Sequence, residues 1–374
     1  MTPYFLRDYG NPSSMHSFGE EAREAVERAR ARIASALNVS PEEIIFTSGG
    51  TESNNLALKG IAWANSRKGR HIITTAIEHD CIMQSCEWLQ TQGFEVTYLP
   101  VDRYGRIDPA TVEQAIRPDT VLVSVMHVNN EIGTAEPIEE IGAICREKDV
   151  YFHTDACQSF GKIPMNAKDL DLVTINAHKI YGPKGVGALY VREGVQIDTW
   201  QHGGGHERGL RSGTENVPGV VGFAHAAEIA VESMEEESRR LSGLRNRIID
   251  TVLEKVEFAY LNGHRAASAP NIVNMGFHGY EGDAIKLLIA LDGKGIAVST
   301  GSACSSISGQ PSHVLTAIGL NPLEAMGALR ISTGRYTTKE EIDYLLDTLP
   351  EAVRSLRPIT SVDTGGHGYE REHC

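Results

Sequence analysis

Three features of this 374-residue sequence predict an α/β fold: a mainly parallel seven-stranded sheet flanked by helices, followed by a smaller α+β C-terminal domain. Seven short apolar runs are spaced between residues 42 and 191. Most of the early runs alternate with helical segments, as strands joined by crossovers do. Polar residues of catalytic type end several runs, where open α/β sheets bind ligands.

From Gly19 to about Leu37, "GEEAREAVERARARIASAL" repeats Ala, Val, Ile and Leu at helical spacing with charges between, which predicts an amphipathic helix. "EEIIFTSGG" reads as a strand entering a glycine turn. "HIITTA", "FEVTYLP", "TVLVSVMHV", "VYFHTDA", "DLVTINAH" and "GVGALYV" supply the other six strands, with helices such as 79–92 and 137–148 between them. Residues 217 to about 258 read as helix broken near "SMEEESRRLSGL"; a strand at 271–276, a helix at 282–291 and a strand near 296–299 follow. The expected division is a large domain over 1–235, a small domain over 236–358 and a tail over 359–374 that has no apolar period.

A formal charge of −14 argues against non-specific binding to nucleic acid or an anionic membrane, both of which need clustered Lys and Arg. No apolar stretch reaches the length of a membrane span, and "MTPYFLRDYGNPSS" has neither a basic nor an apolar leader region. A cytoplasmic protein acting on a small molecule or a protein partner is expected. Cys81, Cys86, Cys145, Cys157, Cys304 and Cys374 form no CxxC pair and are read as free thiols. His16, His202 and His206 have no spacing that suggests a metal site.

"FTSGGTESNN", residues 46–55, runs from a strand through two glycines into a helix start. It is either an anion site or a glycine turn with a Thr51 cap. It matches neither nucleotide fingerprint, so a phosphate there would belong to something else. "YFHTDACQS" puts Asp155 at a strand end, where a carboxylate needs a cation or donors. "INAHKIYGPKGVG" puts Lys179 at another, either as an amine nucleophile or as a solvated lysine. One ligand needs all three partners: pyridoxal 5′-phosphate, with its phosphate, ring nitrogen and aldehyde. "STGSACSSISGQPS", residues 299–312, sets Cys304 among Ser and Gly, either as a phosphate cradle or as a carrier of reactive sulfur.

With "YGNPSSMHSFG", "VMHVNNEIGT", "GGGHERGLRSGTEN" and "ALRISTGRYTTKEEID", these stretches run in order through nearly the whole chain. The sequence thereby resembles the IscS/NifS-like cysteine desulfurases, in the class V aminotransferase group of fold-type I enzymes. The resemblance implies that Lys179 holds the cofactor and shuttles protons, Asp155 keeps its ring nitrogen charged, and His79 stacks on the ring. Gln158 and Asn130 would meet the ring hydroxyl, and Gly50, Thr51 and His178 the phosphate, with Thr214 reaching across from a second subunit of a homodimer. Asn176 stands where a serine usually donates to the phosphate, and an amide can also donate.

By the same resemblance, Arg330 clamps the substrate carboxylate, together with Asn130 on that edge, its other reading being a buried structural ion pair; Arg335, five residues on, is read as structural. Cys304 takes sulfur from L-cysteine as a persulfide, leaving alanine, and passes it to an iron–sulfur scaffold protein or another acceptor. Members usually open with a strand ahead of the helix ending in "PYF", so a shortened start is expected. Cys157 is read as a small buried thiol. The alternatives are a selenocysteine lyase or other class V enzyme, and a weakly active scaffold-docking protein that lends Cys304 as a transient cluster ligand.

Overall fold

The computed structural model describes residues 1–282, 284–301 and 310–356. Strands β1 (Ile44–Thr47), β2 (His71–Thr75), β3 (Glu95–Leu99), β4 (Thr120–Ser124), β5 (Tyr151–Asp155), β6 (Leu172–Asn176) and β7 (Gly187–Val191) form one sheet in the order β1-β7-β6-β5-β4-β2-β3. From β3 to β6 all neighbours are parallel, whereas β7 is antiparallel to both β6 and β1. The two reversals cancel, so β1 runs with β6 and ends on the same sheet edge. Every residue of β1, β2, β4, β6 and β7 is buried. That is why these strands read as continuous apolar runs rather than alternating ones.

Helices cover both faces. On one side Ser17–Leu37 lays Ala22, Ala25 and Ala29 in a core shared with Val220, Ala224 and Ala227 of Val217–Glu232, and the small side chains allow close approach. Its start is capped by His16 Nδ1, which accepts from Gly19 N at 3.2 Å, and it ends at left-handed Asn38. On the other side Gly50–Ala64 and Asp80–Thr91 bury Leu56, Ile61, Ile82 and Leu89. The expected helix break falls at Ser233, between Val217–Glu232 and Met234–Lys255.

A second sheet, entirely antiparallel, has the order β10 (Leu329–Ser332), β9 (Ile272–Phe277), β8 (Ala259–Asn262). Helices Met234–Lys255, Ala284–Asp292 and Lys339–Leu356 close its core with Ile248, Val252, Leu287, Leu291, Ile342 and Leu346. Period-two alternation along β10 buries Leu329 and Ile331 in that core and turns Arg330, between them, to the opposite side. Residues 296–299, expected as a strand, touch the sheet only at a bridge between Ser299 and Arg330. The chain turns away two residues later at Gly301, whose φ is +114°. A small cluster of Ile77, Ile132, Val314, Leu315 and Ile318 fastens the 313–328 region to the first sheet. No helix among the described residues is long and apolar enough to cross a membrane.

Candidate active site

The shared edge of β1, β5 and β6 opens into a cleft of about 250 Å³. The expected residues Gly50, Thr51, His79, Asn130, Asp155, Gln158, Asn176, His178, Lys179 and Arg330 all line it. Thr214 is exposed on the 212–216 loop, away from this cleft. Cys304 and the tail lie outside the described residues.

Gly49 and Gly50 begin the helix after β1 for steric reasons. Gly49 has φ of +152°, and a Cβ on Gly187, paired with Asn176, would lie 2.7 Å from Gly49 Cα. A Cβ on Gly50 itself would lie 2.6 Å from Cys157 Sγ and 3.3 Å from Asn176 Nδ2. A free, positively polarised helix end therefore faces the cleft floor. Glu52 in the first turn accepts from Ser48 N at 2.7 Å and pairs with Arg211 at 2.8 Å, which holds its carboxyl below its ordinary pKa against the opposing effect of burial.

Asp155, 6% exposed at the end of β5, accepts from Asn54 Nδ2 at 2.7 Å and from Cys157 N at 2.9 Å. Both donors are neutral, and among the described residues no cation pairs with this carboxylate. Lys179 enters from the 178–180 turn, where its N–H donates to Asn176 Oδ1 at 3.3 Å. Burial, then the nearby Arg330 charge, lowers its amine pKa, opposed by Cys157 and Asp155. The same two causes, burial and then the neighbouring charge of Lys179, lower His178.

His79 caps the helix at Asp80, its Nδ1 accepting from Cys81 N at 3.1 Å. Arg330 donates from one terminal nitrogen to the Asn130 carbonyl at 2.9 Å, while its buried Nε has no partner. The buried Oδ1 atoms of Asn54 and Asn130 also lack partners. Arg335, by contrast, is tied to Glu237 at 2.7 Å and Ser233 at 3.0 Å, a structural role.

The cleft is also lined by Asn54, Asp80, Cys81, Met126 and Val128, which were not foreseen there. Asn54 sits one helical turn after Gly50, so i,i+4 spacing from the glycine turn was its only sequence signal. Cys81 accepts from Asn54 Nδ2 at 3.2 Å, and burial pushes its thiol up to about 12. Cys157, expected as a small buried thiol, stands in the wall of the cleft, and burial raises its pKa well above the ordinary value. Nearby, Lys162 donates to the Gln158 carbonyl at 2.9 Å, with burial bringing its pKa down to about 8.

An aspartate, a lysine and a helix start thus stand on one sheet edge, faced by an arginine from a second sheet. Residues 1–345 match the family model described as aminotransferase class-V, and the chain belongs to that family, in its cysteine desulfurase group. It is 52% identical to cysteine desulfurase IscS of Dictyoglomus turgidum over 96% of this chain and 91% of that one. With the human cysteine desulfurase the identity is 48%, over 96% and 79%. Among solved structures, a NifS-like protein superposes with a TM-score of 0.88 at 41% identity, covering 95% and 94% of the two chains. A structure titled SspA in complex with cysteine gives 0.78 at 39%, covering 90% and 94%.

Proposed function

We propose that this protein is a pyridoxal 5′-phosphate-dependent cysteine desulfurase that converts L-cysteine to L-alanine and carries the sulfur as a persulfide on Cys304. The observation that carries the reading is the convergence of Lys179, Asp155 and the Gly50 helix start on one cleft. The residues fit the cofactor: a buried carboxylate without a cation, a glycine cradle that a Cβ would fill, and a partnerless acceptor on Asn130. When bound, the cofactor supplies a ring that withdraws electrons from the substrate Cα.

The chain does the rest. Amides at Gly50 and Thr51, with Asn176 and His178, would hold the phosphate; Asp155 would pair with the ring nitrogen, and Gln158 and Asn130 would meet the ring hydroxyl. Lys179 would hold the cofactor through its amine and would move a proton at the substrate Cα. The lowered amine pKa suits both tasks. His79 would stack on the ring, and Arg330 would grip the substrate carboxylate through its fork. The Cys304 thiolate attacks the substrate sulfur; the S–S bond forms as the Cβ–S bond breaks, and the organic fragment keeps the electron pair, takes a proton and leaves as alanine.

The persulfide is handed to a sulfur acceptor such as an iron–sulfur scaffold protein. The enzyme works as a cytoplasmic homodimer in which Thr214 serves the partner's cleft, and the chain divides near residue 236. The test is alanine formed from L-cysteine by the loaded protein, beside its visible absorption spectrum. Lys179→Ala should lose the cofactor absorption band and turnover. Cys304→Ala should keep the band and its change on adding cysteine, yet make no persulfide. Cysteine-independent spectra, or alanine indifferent to Cys304, would defeat the reading.

A further inference from the structure

The turn that presents Lys179 is gripped from the side of the second sheet. Two residues after the lysine, Tyr181 has a left-handed backbone, with φ of 67° and ψ of 14°, which a bulky residue holds only where its surroundings impose it. The imposing contact lies just beyond β10. Tyr181 Oη accepts from Arg335 N at 2.5 Å. A Cβ on Gly334 would lie 2.5 Å from the same oxygen, so a larger residue there would push the phenol away. The Arg335 guanidinium lies over the Tyr181 ring, 5.3 Å from its centroid, and the Tyr336 ring meets it edge-on at 5.8 Å.

Both partners are held firmly. Ile180 N and Gly182 N each donate to Ala177 O at 3.0 Å, closing the turn around Lys179. Opposite, Thr337 N donates to Gly334 O at 3.0 Å and Gly334 N to Thr337 Oγ1 at 3.0 Å. Arg240, from the helix Met234–Lys255, donates to the carbonyls of Gly334, Arg335 and Thr337 at 3.0, 2.9 and 2.7 Å. This loop continues β10, where Arg330 stands four residues before Gly334. The cavity that Lys179 and Tyr181 share with Thr333 and Arg335 measures about 20 Å³, room for little more than one water, so the two turns are closely packed. The steps proposed above make no use of Tyr181.

We propose that Tyr181 is a positioning residue: its grip on Gly334 and Arg335 fixes the spacing between the Lys179 amine and the Arg330 guanidinium, and with it the placement of a bound amino acid whose Cα and carboxylate those groups address. This rests on the desulfurase reading. Misplacement of a reacting group by about 1 Å costs on the order of a hundredfold in rate. The Lys179 amine reports the spacing. Asp155, Cys157, Lys162 and His178 face it from the side of the first sheet, and Arg330 faces it from the second. Of these, only Arg330 lies across the grip, and its charge helps to hold the amine below its ordinary pKa.

The test compares Tyr181→Phe, Gly334→Ala and the double variant in the full chain. With the cofactor loaded, Tyr181→Phe should lower kcat for alanine roughly 10-fold, with a smaller change in KM for L-cysteine. In the cofactor-free chain, competitive labelling of Lys179 with acetic anhydride across pH, read by mass spectrometry, should give a higher midpoint than the wild type, because Arg330 is no longer held beside the amine. Gly334→Ala should move both readouts in the same direction. Added to Tyr181→Phe it should change little further, since the clash needs the phenol oxygen and the nearest ring carbon lies at 3.6 Å. An unmoved midpoint in Tyr181→Phe, or a lower melting temperature with kcat intact, would overturn the proposal and leave the contact a support for the fold alone. If Gly334→Ala does not fold, the labelling profile of Tyr181→Phe decides the matter by itself. Failure of the wild-type chain to make alanine would sink the desulfurase reading, whereas the labelling comparison needs no turnover.

Discussion

Asn54 Nδ2 donates to Asp155 Oδ2 at 2.7 Å, joining the first turns of the Gly50–Ala64 helix to the end of β5. A buried charged acceptor that loses a donor costs about 1–3 kcal/mol. Asn54→Ala should therefore lower the melting temperature of the cofactor-free protein by a few degrees.

Gly50→Ala should weaken pyridoxal phosphate binding at least tenfold, because the new methyl would lie 2.6 Å from Cys157 Sγ and push the helix start out of place. Adding Cys157→Gly to the same chain should restore much of the affinity, measured by cofactor titration. Absence of rescue would mean that the cleft needs glycine for another reason.

Arg330→Gln should raise KM for L-cysteine by roughly 10- to 100-fold, the value of a charge-assisted fork on a carboxylate. The change in kcat should be much smaller, since the contact proposed for Arg330 is with a part of the substrate that does not react. Steady-state kinetics separates the two effects.

Arg30 and Glu207, 5% and 3% exposed at their side chains, meet through two hydrogen bonds of 2.8 Å, and Glu207 also accepts from Phe46 N at 2.8 Å. Breaking one side of such a pair costs about 3–5 kcal/mol because a charge is left buried. Arg30→Met should be strongly destabilising in thermal melts, and Arg30→Met with Glu207→Gln should be less so than the single change.

Glu78 is fully buried; Thr75 Oγ1 at 2.8 Å and Met126 N at 2.9 Å donate to one carboxyl oxygen, and burial raises its pKa from 4.5 to about 8. In the folded chain it holds its proton where the unfolded chain has lost it. Its contribution to stability is therefore complete below about pH 4.5 and declines as pH rises to about 8, by an amount on the order of a few kcal/mol. His127 and His153, lowered by burial to about 4, act in the opposite sense: their contribution is present above 6.5 and lost as pH falls through 4. Subtracting the stability profile of Glu78→Gln from that of the wild type isolates the carboxyl, and the difference should fall between pH 4.5 and 8.

Asp155 and Lys179 were legible because each ends an apolar run, where a charged group needs a cation, donors or solvent, whereas Asn176 was picked out only through the family resemblance. Gly50 was legible for a related reason, as a glycine between a strand and a helix. Asn54 gave little such signal, being an ordinary helix residue. Residues 296–299 have the composition of a strand, yet only Ser299 finds a partner, because pairing depends on where the neighbouring strand lies and not on propensity.

By itself, the sequence determined the alternation of strands and helices, the buried character of the sheet and the residue types of the cleft, since these follow from local periodicity and the cost of burying polar groups. Only the tertiary structure decided which side chains meet. The two reversals at β7 bring the end of β1 to the edge holding Asp155 and Asn176, and the alternation of β10 turns Arg330 away from its own core toward Asn130, 200 residues earlier. Contacts so distant in sequence depend on the packing of whole layers, for which no local pattern in the chain can stand.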